Sequence, residues 1–221
     1  VVLGSDSAAT AAALDGFLHS GEDPAVIAGT ALRDGKVAFV FSGNGAQWPG
    51  MAANAFRASA AFRAALAEVD ALLRPALGWS VAEAIERGIE AEALVRADVA
   101  QPLLFAIQFG IVNVLRNAGV DAAGHIGHSV GEIAAGWASG ALSLAAAVRV
   151  VVARSRNQER TRGDGRMAAL ALGAPEAEQL IAEIGAPLEI GAVNARQSVT
   201  VSGPAAAIEK LANEARRRGV V

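Results

Sequence analysis

Apolar positions along the chain follow two rhythms. Residues Ser7 to Leu18 carry them at the spacing of an amphipathic helix, followed by a polar turn at Gly21-Glu22-Asp23-Pro24. Lys36 to Phe41 is a β-rich run too short for a helix, and it enters the glycine-rich turn Ser42-Gly43-Asn44-Gly45. Helical spacing returns over Phe56 to Leu73 and Leu103 to Asn117. A strand is predicted at Ala123 to Ile126, then Gly127-His128-Ser129-Val130-Gly131, then a helix over Glu132 to Ser139. From an N-cap at Ser143 to Arg160, the stripe Leu144, Ala147, Val148, Val151 and Val152 marks a helix packed on a sheet. Strands and helices alternating in this way predict an α/β fold with a mainly parallel sheet.

The second rhythm begins after Thr161-Arg162-Gly163-Asp164-Gly165. Strands are predicted at Met167 to Leu172, Leu188 to Val193 and Ser198 to Ser202, and helices at Pro175 to Ile184 and Pro204 to Arg218. Val220-Val221 reads as the start of a fourth strand. The order β-α-β-β-α-β is that of a ferredoxin-like unit, here incomplete at its C-terminus.

Composition narrows the classes. With 53% hydrophobic and 19% charged residues in 221, the chain can bury a core and is no disordered tail. Seventeen Arg against two Lys, beside 53 Ala, reflects GC-rich coding more than polyanion binding. A net charge of −3 gives no general attraction to nucleic acid or to an anionic membrane. The absence of cysteine excludes disulfides, thiolate metal sites and a cysteine nucleophile. His19, His125 and His128 are too few and too poorly spaced for a metal site, so no metal is expected. No uncharged apolar run reaches the roughly 18 residues of a membrane span. No signal peptide opens the chain, and a cytoplasmic location is expected. The missing initiator Met suggests a piece of something longer.

The strongest chemical signal is Gly127-His128-Ser129-Val130-Gly131 between a strand and a helix. A serine on such a turn projects its hydroxyl from the sheet, and flanking glycines clear the approach. The N–H groups opening the next helix then lie where an oxyanion would form. The local bland reading is a glycine-rich turn with a capping serine. No base is evident: His128 should diverge from its neighbour, His125 reads as a buried, hydrogen-bonded strand residue, and His19 as surface.

Phe39-Val40-Phe41-Ser42-Gly43-Asn44-Gly45-Ala46-Gln47-Trp48 resembles the F-x-F-x-G-Q-G-x-Q-W opening of acyltransferase domains of type I polyketide synthases. Gly127-His128-Ser129-Val130-Gly131-Glu132 matches their G-H-S-x-G-E motif. Ile133 to Leu144, Ala153-Arg154-Ser155-Arg156, Gly165-Arg166-Met167, Val193-Asn194-Ala195 and Ser198 to Gly203 follow in the family's order. The resemblance covers nearly the whole chain. It implies a linker over residues 1–34, an α/β-hydrolase-like core over 35–162 and a truncated ferredoxin-like subdomain over 163–221. It further implies the activity of a malonyl-CoA:acyl-carrier-protein transacylase. Ser129 would take an acyl group from coenzyme A and pass it to the phosphopantetheine thiol of an acyl carrier protein, with a ketosynthase domain as neighbour. No bound cofactor is implied.

By matched position, the N–H groups of Asn44 and Val130 would form the oxyanion hole, and Arg154 would pair with the free carboxylate of a malonyl group. Periodicity alone leaves Arg154 and Arg156 on the two edges of the apolar stripe; the resemblance selects Arg154. Gln101, His128 and Gln47 would line or support the pocket, and Trp48 would serve packing. Asn44 stands where the family has Gln. The resemblance places the family's catalytic histidine beyond residue 221, and by this reading these residues alone do not suffice for the reaction. Arg96-Ala97-Asp98-Val99-Ala100-Gln101 resembles a stretch of methylmalonyl-selective domains, whereas Val130 resembles the malonyl type. Malonyl-CoA is favoured over methylmalonyl-CoA. A serine hydrolase and a non-catalytic scaffold are the alternative classes.

Overall fold

A computed structural model describes residues 1–30 and 35–220. The chain divides into two compact units, Val1–Ala38 and Phe39–Val221. In the first, α1 (Ser7–Ser20) is N-capped by Asp6, whose Oδ1 accepts from Ala9 N at 2.8 Å. Gly21, at φ 78°, ends the helix by donating its N–H to Phe17 O. An antiparallel bridge joins Val2 to Val26. Part of the predicted linker, residues 31–34, lies outside the described residues.

The larger unit holds two apolar clusters. The first surrounds α6 (Ala97–Asn117), which buries Leu103, Leu104, Phe105 and Phe109. It packs against α3 (Ala60–Leu77), α7 (Gly131–Ala138) and α8 (Leu144–Arg160). Among the described residues α6 alone has the length and apolar content of a bilayer span, but more than half of that stretch is buried in the protein. The strands β1 (Ala38–Phe41) and β2 (Gly124–Gly127) pair as a small parallel sheet, and β1 turns Phe39 and Phe41 inward. The fold is thus mixed α/β.

Several boundaries differ from expectation for reasons of packing. The predicted helix over 56–73 divides into α2 (Ala53–Ala58) and α3 because Ser59 caps the second piece, its Oγ accepting from Phe62 N at 3.1 Å. The helix expected from Leu103 begins six residues earlier, with Pro102 inside it. Its N-terminus is held from a distance: Glu159 Oε2, on α8, accepts from Ala97 N at 2.7 Å. Two short helices, α4 (Val81–Arg87) and α5 (Ala91–Leu94), were not expected. Buried Asp70 on α3 secures α4 by accepting from Ser80 Oγ at 2.8 Å and from Val81 N at 2.6 Å.

The second cluster lies within β3 (Arg166–Leu170), α9 (Ala174–Ile184), β4 (Glu189–Ala195), β5 (Ser198–Gly203) and α10 (Ala205–Arg217). The strands form an antiparallel sheet in the order β3-β5-β4. Leu170, Val199 and Val201 meet Leu180, Ile208 and Leu211 of the helices. The expected fourth strand is corrected at Val220. Gly219, at φ 71°, turns the chain back so that its N–H donates to Arg216 O and Val220 N–H donates to Ala215 O at 2.8 Å. This helix-ending turn uses the N–H that strand pairing would need. Val221 lies outside the described residues.

Candidate active site

Ser129 occupies the middle of the three-residue turn between β2 and α7 at φ 55°, a left-handed conformation that ordinary side chains disfavour. The flanking glycines permit the turn by close approach. A Cβ on Gly127 would fall 2.3 Å from Glu132 N, and one on Gly131 would fall 2.3 Å from Phe41 O. The elbow is also tied to β1, since His128 N donates to Phe41 O at 3.0 Å. This places the loop carrying Asn44 beside it. Gln108 of α6 braces that loop by donating from Nε2 to Ser42 O at 2.9 Å.

The hydroxyl of Ser129 is met by Arg154, whose Nη2 donates to Oγ at 3.0 Å. Arg154 Nη1 donates to Gln101 Oε1 at 2.5 Å and to Gln158 Oε1 at 3.1 Å. Gln101 is fully buried and donates from Nε2 to Gln158 Oε1 at 2.6 Å. Among the described residues no carboxylate pairs with Arg154, so its charge is held by neutral acceptors. Arg156 turns the other way and donates to the Ala76 carbonyl of α3. Tertiary contact thus separates two arginines that helical spacing had left equivalent.

The N–H groups of Val130 and Asn44 donate to no backbone carbonyl among the described residues. Val130 sits at the N-terminal end of α7, where the helix dipole favours negative charge, and Asn44 is exposed in the β1 loop. A cleft of about 680 Å³ runs past Asn44 and Gln158 to Arg162, Arg166 and Ser202. A separate apolar hollow of about 370 Å³ between α3 and α8, lined by Leu72, Val148 and Val152, contains none of these groups.

The other expected residues are placed differently. Gln47 Oε1 accepts from Gly45 N at 2.8 Å and its Nε2 donates to Leu94 O at 3.1 Å, so it braces the glycine-rich loop. Trp48 was expected to pack, yet 59% of it is exposed. His128 Nε2 donates to Asn194 Oδ1 of β4 at 3.3 Å, and its ring stands against the Gly43 turn, where an added Cβ would meet Nδ1 at 2.8 Å. His125 was expected to be hydrogen-bonded; its Nε2 is buried without a partner among the described residues, and the ring stands edge-on to Phe39 at 5.8 Å. Sequence reading missed Gln158, Asn194 and Gln108. Only Gln158 carried a local signal, standing four residues after Arg154 and so on the same helix face.

A serine on a strand-to-helix elbow, faced by an uncompensated arginine, defines a serine-elbow α/β protein. The sequence pattern of the family described as acyl transferase domain matches residues 38–221, and the chain belongs to that family. It is 42% identical over its whole length to a spectinabilin polyketide synthase system protein, NorA', of Streptomyces orinoci, of which it spans 6%. It is 36% identical over 89% of its length to the erythronolide synthase EryA2 of Saccharopolyspora erythraea, again spanning 6% of that protein. It superposes over its full length, with a TM-score of 0.89 and 36% identity, on the acyltransferase domain from module 8 of the salinomycin polyketide synthase, covering 52% of that chain. The chain therefore corresponds to a small part of these synthases and about half of the solved acyltransferase structure.

Proposed function

We propose that the chain is part of a polyketide synthase acyltransferase domain that loads a malonyl-type unit from coenzyme A onto Ser129. The ester is then passed to the phosphopantetheine thiol of an acyl carrier protein, with a ketosynthase as neighbour in the same polypeptide. The carrying observation is the bond from Arg154 Nη2 to Ser129 Oγ, made by a guanidinium with no carboxylate partner among the described residues. A bidentate guanidinium beside the nucleophile suits an acyl group that ends in a carboxylate. Malonyl-CoA is favoured over methylmalonyl-CoA on Val130 after the nucleophile, although one methyl group is worth only about 1–3 kcal/mol in a pocket.

In this reading Ser129 Oγ attacks the thioester carbonyl. The C–O bond forms, the C–S bond breaks, and the serine proton passes through a base to the departing thiol. The N–H groups of Val130 and Asn44 are free to receive the developing oxyanion. The base is assigned to a histidine beyond residue 221, because His125 is packed against Phe39 and His128 is committed to Asn194. The two apolar clusters support an α/β-hydrolase-like core over 35–162 and a ferredoxin-like subdomain over 163–221.

Brief incubation of the full natural protein with malonyl-CoA, followed by peptide mass spectrometry, tests the proposal. A malonyl ester on Ser129 that leaves on addition of carrier protein is expected. Rapid release of free malonate without carrier would instead indicate a hydrolase.

A further inference from the structure

Gln158 lies one turn beyond Arg154 on α8, and nothing in the family resemblance assigns it a role. Its amide is oriented by chemistry. An arginine only donates, so the oxygens of both Gln101 and Gln158 must face it. The Gln101 amide nitrogen is then left to face Gln158, and that contact is the 2.6 Å bond to Oε1. Three side chains from two helices thus close a ring: Arg154 to Gln101 at 2.5 Å, Gln101 to Gln158 at 2.6 Å, and Arg154 to Gln158 at 3.1 Å. Gln101 is fully buried, so the ring rests on a fixed base in the α6 core. Gln158 itself is partly buried and lines the cleft that passes Asn44.

Both acceptors in the ring are neutral, and this decides what it can do. A carboxylate at either position would pair with the guanidinium and cancel the charge an incoming carboxylate needs. A hydrocarbon side chain at 158 would leave Gln101 Nε2 without its acceptor and Arg154 Nη1 with one partner instead of two.

We propose that Gln158 is a positioning residue for acyl selection: it holds the Arg154 guanidinium beside Ser129 while leaving its charge unpaired for the free carboxylate of a dicarboxylic acyl group. The proposal rests on the acyl-transfer reading of Ser129 and Arg154.

The test is the partition between malonyl and acetyl esters on Ser129 when the full natural protein meets equal malonyl-CoA and acetyl-CoA. Wild type is compared with Gln158→Leu and Gln158→Glu. Loss of a hydrogen bond to a charged group should lower the malonyl-to-acetyl partition of the Leu variant about ten- to a hundredfold, mainly through the KM for malonyl-CoA. The Glu variant should lose at least as much despite its matching shape, because its charge pairs with Arg154. A partition equal to wild type in both variants overturns the proposal, as does an equal fall in both esters, which is what a merely structural role would produce. If thermal melting shows the Leu variant unfolded, the isosteric Glu variant decides alone. A wild type with no malonyl preference overturns the acyl-transfer reading and this proposal together, whereas a preference that survives both substitutions overturns only this one.

Discussion

Arg154 Nη2 donates to Ser129 Oγ across 3.0 Å, so the hydroxyl accepts from the cation and keeps its own proton free to give. In the proposed reaction the guanidinium then has two successive duties. It first fixes the serine rotamer, and it turns part of its fork to the acyl carboxylate when substrate arrives. Neutral partners on Nη1 make the second duty possible, since no protein carboxylate among the described residues competes for the charge.

Arg154→Ala should therefore erase the preference for carboxyacyl groups. A fall on the order of a hundredfold in malonyl over acetyl labelling of Ser129 is expected from the loss of charge-assisted bonds. Arg154→Lys should recover only part of it, because an ammonium keeps the charge without the planar fork. Equal partition ratios in wild type and Arg154→Ala would refute the role.

Ser129 bears the backbone conformation of a glycine. Replacing it with Gly should abolish acylation yet make the fold more stable than Ser129→Ala by about 1 kcal/mol, since the left-handed penalty is removed. Urea unfolding of the two variants measures the difference. An Ala variant as stable as the Gly variant would mean that the elbow is unstrained.

Gly131→Ala should act on the joint between the elbow and β1. The added methyl would meet the Phe41 carbonyl oxygen at 2.3 Å, and backbone cannot swing aside as a side chain would. A loss of about 2–3 kcal/mol is expected from overpacking of this kind. Chemical denaturation would detect it, and a midpoint within error of wild type would contradict the packing described.

Acid should loosen the end of α10. Glu214 accepts from Arg217 and Arg218, and these bonds lower its carboxyl from 4.5 to about 2. Its contribution to stability is whole above about pH 4.5, where the unfolded carboxyl also ionises, and is lost as pH falls toward 2. The gap in urea midpoint between wild type and Glu214→Gln should accordingly be full at pH 6 and shrink steadily as pH falls from about 4.5 toward 2. A gap that stays constant with pH would exclude the linkage.

Local features were legible in the sequence and remote ones were not. The elbow could be read because Gly127, Ser129 and Gly131 act within a few residues of one another. The Ser143 cap was visible for the same reason, its Oγ accepting from Ala146 N at 3.2 Å. The helix α4 could have been found, since Ser80-Val81-Ala82-Glu83 has the spacing of a capping box and Ser80 Oγ accepts from Glu83 N. The true start of α6 could not, because its cap is Glu159, 62 residues away. Arg154 and Arg156 were inseparable by helical phase, and only the position of α3 sends Arg156 to Ala76. Gln158 shared a helix face with Arg154, but that spacing could not show the Gln101 amide, 57 residues away, that gives it its place.

The two apolar clusters are closed independently, and the extensive packing between helices and strands stays within one cluster or the other. The cleft carrying Asn44 and Gln158 is bordered on one side by α8 and on the other by residues of β3 and β5. The two walls of the cleft thus rest on separate cores within one compact unit. The contact from His128 to Asn194 runs between elements of the two. Ser129, Arg154 and Gln101 all stand on elements of the first cluster, so their mutual spacing is set without reference to the far wall of the cleft.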